Sequence, residues 1–399
     1  MEDNKARLAE QLYFSKEAAE YLGISPQRLN QLIKEGKLNP LKKNSSGTIF
    51  HIDELKKRKD ELSSFNSYGW KAEKGTFIFD SDIKREALNF AVLLNVTGMS
   101  EKKLEPLFEA FSKSTDVTRF LTNDEVISQY SEYFGYPVEM LKVEFDRAYE
   151  SFCNLRETDD IIKRGDLEYP KQLAKTEQAP RFIYIRGKRE LLQENRTVAL
   201  AGSRKASERA INNTARLAKK LGENGIVIVS GLAKGIDAAA HMTALNNDLN
   251  TIAVIGTNLN CYYPSENKEI QEQIEDKGLV ISQFSPAQKT ERWFFPLRNG
   301  VMSGLSLATV IMEAGETSGS LKQADFALKQ NRLVIIPSSA MENQMITWPK
   351  RYVQRGAKVA NTPSDVIDIL KHASIFEEDE IIESKHYNVN NGLSPYWEE

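Results

Sequence analysis

The chain has 399 residues, of which 41% are hydrophobic and 27% charged, and a formal net charge of −3 at pH 7. This length allows two or three domains with full cores, and no apolar run approaches the roughly 18 residues of a membrane span. The N-terminus, MEDNKARLAEQ, is charged and lacks the apolar stretch of a signal peptide, so a cytoplasmic protein is expected. Cys153, Cys261 and the four histidines do not have the spacing of a metal or disulfide site, and no metal or cofactor is predicted.

Charge is distributed unevenly along the sequence. Residues 27–59 contain nine Lys or Arg against three Asp or Glu, whereas residues 377–399 contain seven acids and one lysine. A near-neutral total therefore does not exclude nucleic acid as a partner. Residues 373–399 are expected to form a solvated acidic tail, with occupation of the basic sites as its alternative role.

The first predicted domain covers residues 10–62 and has the pattern of a helix-turn-helix. Ser15 is expected to cap a short helix, Gly23 provides a tight turn, and Ser25 with Pro26 opens a second helix. The basic segment LNPLKKNSSGTIFH then predicts a hairpin or wing, followed by another helix.

This N-terminal pattern resembles the winged DNA-binding domain of MerR-type regulators and phage excisionases. The resemblance implies that the second helix enters the major groove of duplex DNA. The polar side chains then expected to contact bases or phosphates are Gln27, Arg28, Gln31, Lys34, Lys37, Lys42 and Lys43. The alternative is a protein adaptor, because any small helical domain carries polar residues outside.

The central part of the chain is predicted to be a linker followed by helices. Residues 63–84 form the linker, with one short strand at TFIF, and residues 85–163 form the helical domain. Its segment LLNVTGMSEKKLEPLFEAFSK is similar to a helix-hairpin-helix or SAM-like element. Such a turn can hold a DNA backbone, but Glu101 and Glu105 lie close to it, which favours a structural role.

Strand and helix patterns alternate over residues 166–372, which predicts an α/β fold with a doubly wound, mostly parallel sheet. The seven predicted strands are Phe182–Ile185, Val198–Ala201, Ile226–Val229, Thr251–Ile255, Leu279–Ser282, Leu307–Ile311 and Leu333–Ile336. Ligands of such sheets bind in the crevice at the carboxyl ends of the strands.

Small turns joined to basic residues recur in this region. They are GSRK at 202–205, SGLAKGID at 230–237, FPLRNG at 295–300 and ETSGSL at 316–321. None of them spells the GxGxxG or GxxxxGK[ST] motif. Backbone amides at helix starts beside cations favour phosphate, and a row of such turns suits either a nucleic-acid backbone or one polyphosphate nucleotide.

The stretch from about 85 to 370 resembles the DprA/Smf family of DNA-processing proteins. The shared segments are GDLEYPKQL, IYIRG, VALAGSRKAS, IVIVSGLAKGIDAAAH, TIAVIGTNLNCYYPSEN, FPLRNGVMSGLS, EAGETSGSLKQADFALKQ and RGAKVA. The resemblance implies an extended Rossmann-like domain behind a SAM-like helical domain, usually as a homodimer. It also implies binding of single-stranded DNA and loading of a RecA-type recombinase during transformation.

The resemblance and the turns together give a set of phosphate-contacting residues. They are Gly202, Ser203, Arg204, Lys205, Gly231, Lys234, Gly235, Arg298, Asn299, Ser318, Gly319 and Ser320. Aromatic candidates for base stacking, which are alternatively core residues, are Tyr262, Tyr263, Trp293 and Phe294. Asp237 is expected to cap the helix after it and orient Lys234 rather than act as a general base, and His241 is expected to pack or cap.

Three departures from the family pattern stand out. FPLRNG replaces FPxRNR, so one positive charge is absent at Gly300, and IPSSAMENQMITWPKRY replaces the usual Pro-Gly turn. The family's C-terminal winged helix is also expected to be absent. These departures weigh more against the recombinase-loading role than against the fold.

Three functions remain open at this point. The favoured one is a non-catalytic protein of DNA processing that binds single strands through Arg204 and Lys234, with added duplex contact. The second is a nucleotide-sensing regulator or phage-defence protein, in which a mononucleotide or cyclic dinucleotide competes at Arg204. The third is a nucleoside-monophosphate hydrolase, for which Glu313 and Glu316 are available but the PGGxGT pattern is broken.

Overall fold

A computed structural model describes residues 12–22, 29, 33, 38–44, 47–56 and 77–373 of the chain. These residues fall into two compact units, one within residues 1–71 and the other within residues 72–399. In the described ranges, the helices are all too short or too polar to cross a membrane.

The first unit contains a small antiparallel sheet and a helix. Its elements are β1 (Leu12–Phe14), α1 (Ser15–Leu22), β2 (Lys42–Asn44) and β3 (Gly47–His51), with the strand order β1-β3-β2. Residues 52–56 are helical. The core of this unit contains Ala18, Ala19, Leu22, Leu29, Leu38, Phe50 and Leu55.

The residues predicted to read duplex DNA lie mostly outside the described part of the chain. Lys42 is exposed on β2. The positions outside the described residues are Gln27, Arg28, Gln31, Lys34 and Lys37, together with the side chain of Lys43. The winged helix-turn-helix therefore stays a prediction.

The second unit begins with four helices. They are α2 (Asp82–Thr97), α3 (Glu101–Phe111), α4 (Asp124–Phe134) and α5 (Val138–Phe152). Helix α2 ends at Gly98, whose φ of +62° forms the turn before α3. The prediction of a strand at TFIF is wrong for residues 77–79. The rings of Phe77 and Phe79 pack into the helical core instead, and Phe79 stacks on Tyr149 with ring centroids 5.1 Å apart.

The rest of the second unit is a nine-stranded sheet with helices on both faces. Its first half contains β4 (Asp160–Lys163), α6 (Lys171–Ala174), β5 (Phe182–Gly187), β6 (Thr197–Ala201), α7 (Glu208–Glu223), β7 (Val227–Ser230), α8 (Ile236–Asn246), β8 (Thr251–Ile255), α9 (Lys268–Lys277) and β9 (Leu279–Ser282). Its second half contains α10 (Phe294–Gly304), β10 (Ala308–Ile311), α11 (Ser320–Lys329), β11 (Leu333–Pro337), α12 (Ser338–Glu342), α13 (Trp348–Gln354), β12 (Lys358–Ala360) and α14 (Pro363–His372).

The strand order is β12-β11-β10-β6-β7-β8-β9-β5-β4. The seven strands from β12 to β9 are mutually parallel, whereas β5 is antiparallel to β9 and to β4. This confirms the predicted α/β fold with a mostly parallel sheet, and all seven predicted strands form. After β9 the chain crosses back to place β10 beside β6, so the order reverses between these two strands and opens a crevice there.

The helical region and the sheet share one hydrophobic core. Leu88 and Phe90 of α2 belong to the same buried cluster as Ile255 of β8 and Val280 of β9. A buried ion pair also joins the helical region to the sheet. Arg181, which immediately precedes β5 and is 5% exposed, donates a hydrogen bond to the carboxylate of Glu86 on α2. That bond joins Arg181 Nη2 to Glu86 Oε1 over 2.6 Å.

Candidate functional site

The turn after β6, residues 202–205, is clamped between α8 and the end of β10. The backbone N–H of Ser203 donates to the Glu313 carbonyl at 2.7 Å, and the N–H of Ile236 donates to the Ser203 carbonyl at 3.3 Å. A Cβ atom on Gly202 would lie 2.5 Å from Ile236 Cγ1 and 2.9 Å from the Glu313 carbonyl oxygen. The close approach therefore requires glycine at position 202.

The turn after β7 interlocks with this first turn through Gly235. Gly235 has φ +75° and ψ −119° and immediately precedes α8. A Cβ atom there would lie 2.4 Å from the Ser203 carbonyl oxygen. Both the positive φ and the close contact with the Ser203 carbonyl require glycine at position 235. Because the two turns touch at this point, their relative position is fixed.

Arg298 ties the carboxyl ends of β7 and β8 together from beneath. Its side chain, on α10, is 5% exposed, and Nη1 donates short hydrogen bonds to the carbonyl oxygens of Gly231 and Val254. Burial lowers the pKa of Arg298 to about 10, and nearby Asp237 opposes that shift. The sequence predicts that Arg298 binds phosphate. In the structure its guanidinium is buried, and Nη1 already donates hydrogen bonds to two backbone carbonyl oxygens.

We call the small cavity above Arg298 the arginine pocket. Its volume is about 50 Å³, and its lining consists of Arg204, Gly231, Leu232, Ala233, Lys234, Tyr263, Pro264, Phe295 and Arg298. Arg204 is exposed and forms no ion pair with an acid in the described part of the chain. Lys234 pairs with Glu266, whose Oε1 lies 2.5 Å from Nζ, and this pair lowers the pKa of Glu266. The sequence did not indicate that partner.

We call the larger cavity at the reversal of strand order the switch-point cleft. It measures about 640 Å³, and its lining consists of Ser203, Lys205, Ser207, Arg209, Ala210, Asn213, Met312, Glu313, Ala314, Gly315, Pro337, Ser339, Ala340, Glu342, Asn343 and Ile346. Arg204 and Lys205 are adjacent in sequence but line different cavities. The predicted phosphate set is thus divided, with Ser203 and Lys205 on the cleft side.

Several predicted phosphate ligands line neither of these two cavities. They are Gly202, Gly235, Asn299, Ser318, Gly319 and Ser320. The two glycines shape the turns, as described above. Ser318 and Ser320 lie at the start of α11, where their hydroxyl oxygens are 2.7 Å apart.

Asp237 and His241 have structural roles in α8. The Asp237 carboxylate accepts a hydrogen bond from the Ala233 N–H at 3.3 Å, and burial raises its pKa. The expectation that Asp237 orients Lys234 is wrong, because Lys234 bonds to Glu266 instead. His241 is fully buried, with Nδ1 2.8 Å from Thr251 Oγ1, and burial lowers its pKa to about 3.

The four candidate aromatics divide into two core residues and two accessible ones. Tyr262 and Phe294 are buried, and Phe294 stacks on Phe284 with centroids 3.8 Å apart. Tyr263 lines the arginine pocket, and Trp293 is 51% exposed. Only the second pair is available to stack on bases.

Glu313 and Glu316, the two acids of the hydrolase hypothesis, accept hydrogen bonds from the residues that precede two helices, α7 and α13. Glu313 accepts hydrogen bonds from the Ser207 N–H at 3.1 Å and the Ser207 hydroxyl at 2.6 Å. Glu316 accepts from the N–H and hydroxyl of Thr347 at 2.9 and 2.7 Å, and these bonds lower its pKa. Both carboxylates therefore have a structural explanation. In the described ranges, His, Cys, Asp and Glu form no cluster that suits a metal ion.

Gly300, where the family pattern has arginine, faces away from the arginine pocket. It lies two residues after Arg298 on α10, which is about 200° around a helix, and it is buried. A Cβ atom there would lie 2.6 Å from Gln178 Cγ. Glycine in place of arginine at position 300 therefore does not remove a charge from the arginine pocket.

Known proteins resemble the second unit. The sequence pattern of the family described as DNA recombination-mediator protein A matches residues 160–371. The DNA processing protein DprA of Streptococcus pneumoniae is 38% identical over 200 residues, covering 50% of this chain and 70% of that protein. DprA of Bacillus subtilis is 30% identical over 216 residues, covering 54% and 73%. The X-ray structure of the pneumococcal protein aligns with a TM-score of 0.58 at 28% identity, covering 73% of this chain and 98% of that one.

Proposed function

The chain belongs to the DNA recombination-mediator protein A family, and we propose that it binds single-stranded DNA at the arginine pocket without catalysing a reaction. The observation that carries the proposal is Arg204: an exposed guanidinium with no acid partner in the described residues, standing beside Lys234 and above buried Arg298. A cation held by a tight turn and left unpaired is suited to phosphate.

The shape of the pocket favours a single strand over a duplex. A cavity of about 50 Å³ has room for one phosphate group, and the accessible aromatics Tyr263 and Trp293 belong to the segments that flank it. Stacking on aromatic rings requires bases that are not paired in a duplex, and it tolerates any sequence. We therefore expect binding that depends on salt and little on sequence.

Adjacent Arg204 and Lys205 offer a matched test. Fluorescence anisotropy with a labelled single strand over a salt series would compare Arg204→Ala with Lys205→Ala. Loss of one phosphate contact lowers the slope of log affinity against log salt by about 0.7 for single strands. We expect that change and a loss of at least about tenfold in affinity for Arg204→Ala, and less than about threefold for Lys205→Ala. Equal losses would contradict the arginine pocket as the binding site.

The first unit is proposed to add duplex contact. The excess of basic residues over 27–59 and the resemblance to winged regulators support this role. A chain that begins at residue 63 should keep its affinity for single strands and lose affinity for duplex DNA. Retained duplex binding in that chain would move the duplex contact into the second unit.

Two further proposals rest on the family resemblance. We expect a homodimer, to be measured by light scattering after size-exclusion chromatography. We also expect contact with a RecA-type recombinase, to be measured as co-elution with the purified recombinase in the presence of a single strand. A monomer, or separate elution of the two proteins, would contradict the respective expectation.

The nucleotide-sensing and phage-defence hypothesis gains no support at Arg204. The arginine pocket, of about 50 Å³, takes one phosphate group, so a mononucleotide would make only one of the several phosphate contacts that a strand makes. We therefore expect mononucleotides and cyclic dinucleotides not to displace a single strand from Arg204 at micromolar concentration. Competition at that concentration would restore the hypothesis.

A further inference from the structure

We propose that Glu266 competes with DNA phosphates for Lys234, so that a strand must displace the Glu266 carboxylate before it can use this cation. Lys234 lies on the turn after β7 and lines the arginine pocket. Its Nζ atom is 2.5 Å from Glu266 Oε1. The inference rests on the proposed binding of single strands at the arginine pocket, and it assigns to Glu266 the control of affinity there.

The backbone that carries Glu266 is anchored next to the turn of Lys234. Tyr263, three residues before Glu266, lines the same pocket. Asn267, the residue after it, is 6% exposed, and its Nδ2 donates a hydrogen bond to the Leu232 carbonyl at 2.9 Å. Leu232 belongs to the turn that carries Lys234, so this buried bond keeps the carboxylate within reach of the lysine.

The ion pair between Lys234 and Glu266 is weak enough for a phosphate to break. The two side chains are 52% and 60% exposed, and an ion pair this accessible to water contributes little stability. The ammonium group of lysine is a compact charge that bonds to carboxylate and phosphate oxygens alike. A strand that enters the pocket therefore exchanges one ion pair for another, and its affinity is lower by what the first pair contributed.

The two exposed cations of the arginine pocket therefore have different roles. Arg204 forms no ion pair with an acid among the residues that the structure describes, so a phosphate can bind it without displacing a carboxylate. Lys234 already has an anionic partner, and its contribution to binding is reduced by the loss of that partner. Removal of the Glu266 charge should consequently tighten the binding of a strand.

The test is fluorescence anisotropy of the full chain with a labelled oligothymidine strand, at about 150 mM salt, where distant charges are largely screened. Glu266→Gln keeps the size of the side chain and should tighten binding about two- to fivefold, as expected for loss of one exposed ion pair. The control is Glu272→Gln on α9. Glu272 lies 3.6 Å from Lys268 and does not line the pocket, so the same loss of charge should change the affinity less than about 1.5-fold.

A double-mutant cycle assigns the gain to Lys234. In a chain that carries Lys234→Ala, Glu266→Gln should change the affinity less than about 1.5-fold, because the cation for which the two anions compete is absent. Lys234→Ala alone should lower the slope of log affinity against log salt by about 0.7, because the strand takes this cation in the complex. A gain of affinity cannot come from misfolding, since a damaged protein would bind more weakly.

Three outcomes would overturn the role of Glu266. They are equal effects of Glu266→Gln and Glu272→Gln, a gain from Glu266→Gln that persists without Lys234, and an unchanged salt slope in Lys234→Ala. Arg204→Ala, measured alongside, separates this failure from that of the proposed function. If it weakens binding while the cycle shows no coupling, the arginine pocket stands and only the role of Glu266 falls. If it leaves binding unchanged, the arginine pocket itself falls, and this inference with it.

Discussion

Replacing Gly235 with alanine should test whether the interlock of the two turns positions the site. The backbone at Gly235, with φ +75° and ψ −119°, is a region that L-residues adopt at a cost of about 1–3 kcal/mol. The added Cβ atom would also lie 2.4 Å from the Ser203 carbonyl oxygen, and overpacking costs about 1–3 kcal/mol. We therefore expect Gly235→Ala to lower the free energy of unfolding by about 4 kcal/mol.

Gly225 provides the matched control. It also has a positive φ, +68°, but a Cβ atom there would meet nothing within 4 Å. Gly225→Ala should therefore cost only the backbone strain, about 1–2 kcal/mol. Gly225 precedes β7, at the opposite end of the strand from the arginine pocket, so this change should leave DNA binding intact.

Urea denaturation followed by circular dichroism would give both free energies, and anisotropy with a single strand would give both affinities. Because the alanine methyl must push Ser203 away, Gly235→Ala should also displace neighbouring Arg204 and weaken binding at least about tenfold. Equal destabilisation by the two substitutions, or wild-type affinity in a folded Gly235→Ala protein, would refute the interlock.

Three further predictions concern ionisable groups that are buried or, as for Glu101, half-buried. Burial raises the pKa of Glu101 to about 7, above its unfolded value of 4.5, so its contribution to stability is present below pH 4.5 and is lost as pH rises to 7. The midpoint of urea denaturation would be measured at a series of pH values. Between pH 4.5 and 7 this midpoint should change less with pH in Glu101→Gln than in the wild type, and the substitution should stabilise the protein at pH 7 by about 1–2 kcal/mol. An unchanged dependence on pH would contradict this. His241 has the opposite sign: its pKa of about 3 lies below the unfolded 6.5, so stability should fall as pH drops from 6.5 toward 3, and His241→Gln should remove that dependence without lowering the affinity for DNA. Asp159→Ala should lower the free energy of unfolding by about 3–5 kcal/mol, because Arg186, 1% exposed, would lose both of its 2.6 Å bonds to that carboxylate; a loss below 1 kcal/mol in urea denaturation would argue against this.

Periodicity and composition predicted the central sheet well, because the buried parallel strands are nearly continuous apolar runs. The edge strands were missed for the opposite reason. Strand β4, of sequence DIIK, is short and falls inside the stretch predicted to be helical, and β12 has only three residues. Both pair on one side only, so tertiary context rather than a local pattern determines them.

The candidate site was predicted in its position but not in its arrangement. The glycine turns are where the sequence indicates, since close backbone approach demands glycine. The direction of neighbouring side chains is not encoded in spacing: Arg204 and Lys205 diverge into two cavities. Nor does spacing reveal that Arg298 is buried against carbonyl oxygens, because arginine in a motif looks the same whether it meets a ligand or the backbone.

The core shared by α2 and the sheet has a consequence for how this part of the chain can be divided. Leu88 and Phe90 pack in one cluster with Ile255 and Val280, so cutting between the helices and the sheet would expose apolar surface on both fragments. We therefore expect the helices and the sheet of residues 77–372 to depend on each other for stability, so that removal of either part destabilises the other. On this basis the helices are not expected to fold as a removable module, although they lie outside the arginine pocket.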